Sequence, residues 1–160
     1  MTKRELVAYL AGAIDSDGTI GVKKSTYGMR ITHDCAQPTY SERLALRQVT
    51  PEIPALLHET FGGSLYVTKP STTHGKELLS WSITDAKAAT CLRAILPYLR
   101  VKKRQAENAL ELRGIKDHSK TARVARGRGH MGSAPRLSAF SDAMESCYLR
   151  AKELNRVGTQ

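Results

Sequence analysis

Apolar residues recur at Leu6, Val7, Leu10 and Ile14, the spacing of a helix with one buried face. Thr2 and Glu5 stand three apart ahead of that run and form a capping-box start, and Gly18 sets its stop. The period then changes to two. Ile20 and Val22 alternate with Thr19, Gly21 and Lys23 up to a turn at Ser25-Thr26-Tyr27-Gly28. Beyond it Met29, Ile31, His33 and Cys35 alternate with Arg30, Thr32, Asp34 and Ala36, which predicts a hairpin apolar on one face. Pro38 ends that pairing. Thr39-Tyr40-Ser41-Glu42 has the form of a second capping box and predicts a helix through Leu44 and Leu46. Thr50-Pro51-Glu52 restarts it, with proline at a first helical position, and Leu56 and Leu57 carry it to Phe61 before Gly62-Gly63.

The second half repeats the order. Leu65 and Val67 alternate with Ser64, Tyr66 and Thr68, and after a turn around 70–75 Leu79, Trp81 and Ile83 share a strand face. Thr84-Asp85 caps a helix to Leu96, Pro97 opens a new turn, and a long helix is predicted over about 101–116. Four glycines and prolines among basic residues mark 117–136 as a loop or arm (Gly127, Gly129, Gly132, Pro135), and Ser138 to Asn155 reads as a final amphipathic helix. The predicted fold is α+β in an αββαββα order, a four-stranded antiparallel sheet with helices on one face. Its domain plan is a core over 1–116, a basic arm over 117–137, and a C-terminal helix over 138–160 that packs on or extends the core. The two halves share element order without a residue-level repeat.

Composition narrows the function classes. The chain has 160 residues, enough for one ordinary core, and 41% of them are hydrophobic. No apolar run approaches the roughly 20 residues of a membrane span, and the start lacks a signal-peptide apolar core. Cys35, Cys91 and Cys147 have no metal-ligand spacing and suit a reducing compartment: a bacterial or phage-infected cytoplasm, or an organelle matrix. The five histidines likewise show no ligand spacing and are given no role. Charge points to a partner. Net charge is +10, and residues 100–130 alone carry 10 basic against 3 acidic residues. Such clustering is the footprint of a polyanion, with a solvated basic tail as the alternative.

The chemistry-bearing candidates are Asp15 and Asp17. Two residues apart on a regular helix they diverge by about 200°, so both face one cation only if the helix unwinds at Gly18. Asp17, at the unwound end, is the better ligand, and Asp15 is free to bond backbone amides. The competing reading is a plain Asp-Ser-Asp-Gly turn from helix to strand. The preceding residues shift the balance. Leu10-Ala11-Gly12-Ala13-Ile14-Asp15-Ser16-Asp17-Gly18 resembles the motif of the LAGLIDADG homing endonucleases, and it occurs once. Ala13 and Ser16 depart mildly from that motif. Pro97-Tyr98-Leu99-Arg100-Val101-Lys102 is similar to the Pro-aromatic-Leu-basic-x-Lys segment of the single-motif subgroup, so the resemblance covers about residues 5–115.

That resemblance implies a metal-dependent endodeoxyribonuclease, intron-encoded, working as a homodimer on double-stranded DNA without membrane or small-molecule partners. Leu10, Ala11, Gly12 and Ile14 would form the dimer interface. Asp17 and the Ser16 backbone carbonyl would bind Mg²⁺, with Mn²⁺ or Ca²⁺ as substitutes. Gln37, ending the predicted second strand, would orient water, while Lys102 and Arg43 stabilise charge. Two symmetric half-sites would make the target near-palindromic and about 20 base pairs long. The polar strand face is the candidate reader: Lys23, Arg30, Thr32, Asp34, Tyr66 and Thr68, with Lys24, Ser25, Tyr27, Lys69, Lys76 and Ser80 at turns or alternating positions nearby. Its bland counterpart is a solvated antiparallel face. Lys103, Arg123, Arg126 and Arg128 would hold phosphates. The runner-up is a non-cutting binder on the same scaffold, an intron RNA maturase or a DNA-binding regulator.

Overall fold

The computed structural model of the chain describes residues 1–26, 38–70, 75–122 and 138–157. Helix α1 (Lys3–Asp17) starts where the sequence places it: Glu5 N–H donates to Thr2 Oγ1 at 3.3 Å, and Thr2 N–H donates to the Glu5 carboxylate at 2.7 Å. It ends sharply, because Gly18 N–H closes on Ile14 O and a Cβ at residue 18 would lie 2.7 Å from that same oxygen. Strand β1 (Thr19–Ser25) follows at once.

The next element corrects the sequence reading. Thr39–Gln48 is strand β2, not a helix. Tyr40, Glu42, Leu44 and Leu46 are buried while Thr39, Ser41, Arg43, Ala45 and Arg47 are more open, a period of two that excludes a helical face. The Thr39/Glu42 capping box is an accident of composition. Ser25 pairs with Thr39, so the described partner of β1 is β2, and the turn expected at Ser25-Thr26-Tyr27-Gly28 runs into residues outside the described ones. The strand expected over 29–36 lies outside the described residues.

Helix α2 (Glu52–Phe61), strands β3 (Ser64–Thr68) and β4 (Leu78–Thr84), and helix α3 (Asp85–Ile95) agree with the predicted order. Gly63 has φ +100 and a Cβ there would meet Ser82 O at 2.6 Å, so only glycine makes this entry into β3. Trp81 Nε1 donates to Gly62 O at 2.8 Å, which lets the indole sit fully buried without an orphaned N–H. Helix α4 (Lys103–Ala122) runs past the predicted end near 116. Its last turns hold through side chains: His118 Nδ1 bonds Gly114 O, and Thr121 Oγ1 donates to Asp117 O. Helix α5 (Ser138–Val157) completes the described chain.

The strands form one antiparallel sheet in the order β1-β2-β4-β3. Residues opposite one another share a face, so the register separates two surfaces. Ile20, Leu44 and Ile83 are in one row, and Leu46 and Trp81 in another; with Leu10, Ile14, Leu92 and Ile95 from the helices they make the core, while Leu65, opposite Trp81 on the outer strand, stays exposed. Tyr40, Leu112, Met144 and Cys147 form a second cluster where α5 meets α4. Leu10, Ala11 and Ile14 are each 0% exposed in the chain's own core, which corrects their expected place at a dimer interface. A side chain already packed in its own core has no surface to offer a partner. Gly12, by contrast, is exposed, with nothing within 4 Å of a Cβ built on it. No helix among the described residues is long and apolar enough to cross a membrane.

Candidate functional site

The end of α1 is fixed by an exchange of caps with the segment before α4. Asp15 accepts backbone N–H bonds from Arg100 (2.8 Å), Val101 (3.0 Å) and Lys102 (2.8 Å). In return Lys102 Nζ donates to the carbonyls of Ile14 (3.1 Å), Asp15 (2.6 Å) and Ser16 (2.8 Å). A cation on the last carbonyls of a helix gives donors to Asp15 O and Ser16 O, adds a second to Ile14 O beside the Gly18 N–H, and opposes the negative end of the dipole. Burial works against the Asp15 carboxylate, but the three N–H donors and the Lys102 charge outweigh it and hold its pKa below the ordinary value. Burial lowers the pKa of Lys102, partly offset by Asp15 and Asp17.

Asp17 is left exposed on the other side of the helix end. Its Oδ2 accepts from Gln48 Nε2 at 3.0 Å and its Oδ1 from Ser16 Oγ at 3.0 Å. Gln48 is the last residue of β2 and is the glutamine bonded to Asp17, while Gln37 lies outside the described residues. Sequence carried a signal for Gln48, since it continues the Tyr40, Glu42, Leu44, Leu46 alternation up to the Pro51 stop. Its Oε1 is buried and has no partner among the described residues.

The donor set suits a hard divalent cation. Asp17 offers a carboxylate and Ser16 a carbonyl with a lone pair beyond its bond to Lys102, while Asp15 is consumed by backbone. Mg²⁺ needs little more from protein when water and phosphate oxygens complete its shell. No group of three or more His, Cys, Asp or Glu that could hold an ion by itself exists among the described residues.

Asp17 opens onto a groove of about 530 Å³ along the polar face of the sheet, lined also by Thr19, Lys23, Arg43 and Arg47. The register puts Gly21, Arg43 and Thr84 in one row, Lys23 beside Ser41, and Arg47, Ser80 and Tyr66 in another, with Thr68 opposite Leu78. Lys23, Arg43, Tyr66, Thr68 and Ser25 are therefore on the groove face; Ser80 shares that side but is buried, its hydroxyl bonded to Thr68, which corrects its expected place among the DNA contacts. Arg43 is in mid-strand and not on a helix. Thr19 lies opposite Ala45, which sets the end of α1 over Arg47; Arg43 is four residues, about 13 Å, farther along. The arginine nearest Asp17 along the strand is thus Arg47, which sequence reasoning missed.

Lys69 and Lys76 are exposed where β3 ends and β4 is about to begin, and Lys103 is exposed in the first turn of α4. Lys24 alternates to the helix side, where Nζ pairs with Glu145 of α5 at 2.6 Å, and at the β1 edge it lines the groove together with Tyr148. Tyr27, Arg30, Thr32, Asp34, Arg123, Arg126 and Arg128 lie outside the described residues.

No family model and no curated protein matches the sequence. Solved structures do match. The homing endonuclease I-CvuI in complex with a DNA target is 18% identical with a TM-score of 0.54, over 93% of this chain and 96% of that one. The homing endonuclease I-TnaI is 12% identical with a TM-score of 0.57, over 97% and 95%. The meganuclease I-SmaMI bound to DNA gives 11% and 0.61, over 89% of this chain and 43% of that one. At these identities the likeness establishes the fold, and the fold is that of the LAGLIDADG homing endonucleases.

Proposed function

We propose that the chain is a divalent-metal-dependent endonuclease that cuts both strands of a specific DNA duplex as a homodimer. Asp17 carries this reading: an exposed carboxylate at the end of α1, steadied by Gln48, at one end of a groove lined by lysine and arginine. Bound by Asp17 and the Ser16 carbonyl, Mg²⁺ would polarise the scissile phosphate and lower the pKa of the attacking water. The chain's own groups do the positioning. Gln48 fixes the rotation of the Asp17 carboxylate through Nε2 and so orients the ligand of the metal that would activate the water, an indirect part in the role first given to Gln37. Lys102 spends three N–H groups on carbonyls, so it acts on the phosphate through the Ser16 carbonyl it holds. Arg47 takes the charge-stabilising place first given to Arg43, and Arg43 joins Lys23, Tyr66 and Thr68 over the bases.

One Asp17 per chain supplies one cut, and a duplex needs two. The exposed face of α1 carries Tyr9, Gly12 and Ser16, and Gly12 lets a second α1 approach backbone to backbone. A two-fold pair then reads a near-palindromic target. The test is to select duplexes from a randomised library on the purified protein and incubate them with Mg²⁺. Cutting of both strands by the parent, with binding but no cutting by Asp17→Asn, is the expected result. Cutting by Asp17→Asn at the parent rate removes the metal role. Specific binding without a nick in Mg²⁺ or Mn²⁺ assigns the chain to the non-cutting class.

A further inference from the structure

Helix α5 does more than cover the core. It lies along the free edge of the sheet at β1, where Asn155 Nδ2 donates to Ile20 O at 3.1 Å and so satisfies an edge carbonyl. Gly21 shows on which side this happens. Its row contains Arg43 and Thr84, so a Cβ at 21 would point toward the groove, and it would sit 3.3 Å from Asn155 Nδ2. The missing side chain is the notch through which the end of α5 laps round the edge onto the groove side. Tyr148 and Asn155 accordingly line the same groove as Asp17, Lys23 and Arg43.

Tyr148, Lys152 and Asn155 are spaced by four and three residues and share one helix face. Lys152 is exposed and its Nζ stands 5.4 Å from the centre of the Tyr148 ring, with Lys24 Nζ at 5.6 Å from the same ring. This face is held rigidly. Glu145 bonds both Lys24 and Tyr40, Asn108 donates to Cys147 O at 2.9 Å, and Gln105 donates to Leu154 O at 3.4 Å.

Resting on the nucleic-acid reading of the groove, we propose that the last turns of α5 form its outer wall and grip the sugar–phosphate backbone through Lys152, Tyr148 and Asn155. A wall beside the sheet cannot reach base edges that the strands already cover. A lysine ammonium on a fixed ring suits a phosphate, and such a contact adds affinity equally for every sequence.

The experiment measures duplex binding by fluorescence anisotropy, for the selected target and for an unrelated duplex, from about 50 to about 200 mM salt. Lys152→Ala should weaken both duplexes by the same factor and lower the salt slope by about one, so that its penalty shrinks about threefold across that range. Lys152→Arg should restore the slope, and Gly21→Val should mimic the loss by pushing Asn155 out of the notch. Arg43→Ala tests the groove floor and Lys87→Ala, exposed on α3, is the charge control. If Lys152→Ala behaves like Lys87→Ala while Arg43→Ala loses the target, the wall is wrong and the groove stands. If Arg43→Ala also binds like the parent, or the parent binds no duplex, both are wrong.

Discussion

Asp15 and Asp17 differ by two positions and have opposite fates. Asp15 is saturated by three backbone N–H groups, while Asp17 keeps one face open. Asp15→Ala removes a cap from the start of α4 and should cost about 1–2 kcal/mol in urea unfolding. Because the folded-state pKa of Asp15 is lowered from 3.8, its contribution is complete above that value and is lost as pH falls through the folded pKa. Asp15→Asn should flatten that acid limb of the stability curve. At Gln48, alanine should slow single-turnover cleavage by about a hundredfold. Gln48→Glu should slow it further, since a second carboxylate against Asp17 repels both the ligand and the phosphate. A Gln48→Ala variant cutting at the parent rate would remove it from the site. Asp17 was legible in sequence because its own neighbours mark the helix end. The alternation ending at Gln48 was also there to read, but not its partnership with Asp17, because which strand ends beside α1 depends on a segment 31 residues away.

Strand β2 shows how two local signals compete. Thr39 and Glu42 have capping-box spacing, yet Tyr40, Leu44 and Leu46 repeat every two residues, and burial between β1 and β4 favours the strand. Glu42 then has to be buried. It is 0% exposed, and the cost is met by Arg113 Nε at 2.8 Å and Lys116 Nζ at 3.1 Å on α4. Both cations also pair with Asp85, the one non-glycine among the described residues with positive φ. Removing one partner from such a cluster leaves uncompensated buried charge, so Glu42→Ala should cost about 3–5 kcal/mol in chemical denaturation. A Glu42→Met, Arg113→Met double variant should lose less than the two single losses added together. Additive losses would mean that the ions do not couple. Lys24 belongs to the same lesson: alternation assigns it to the helix side, and only the presence of α5 explains what a lysine does there.

For the whole molecule, the register divides the sheet into an apolar face under the helices and a polar face with a groove, and α1 ends where the two meet. The proposed dimer is tested at this scale. Gly12 faces open space in the single chain, so Gly12→Leu should leave the monomer's thermal stability intact while moving sedimentation from dimer to monomer. It should also abolish double-strand cutting while leaving the fold unchanged by circular dichroism. A Gly12→Leu variant that still sediments as a dimer would relocate the interface.

The sequence by itself determined α1 and its cap, the β3–β4 hairpin with Trp81 inward, the α+β class, the basic excess, and Asp17 as the outstanding carboxylate. Those features depend on residues within a turn or two of one another, where periodicity and capping chemistry act. Tertiary structure alone decided that 39–48 is a strand, that Gln48 and Arg47 stand by Asp17, that Lys102 reaches Ile14 from 88 residues away, and that α5 rounds the β1 edge at Gly21. These are contacts between distant segments, selected by packing the core. No local propensity encodes them.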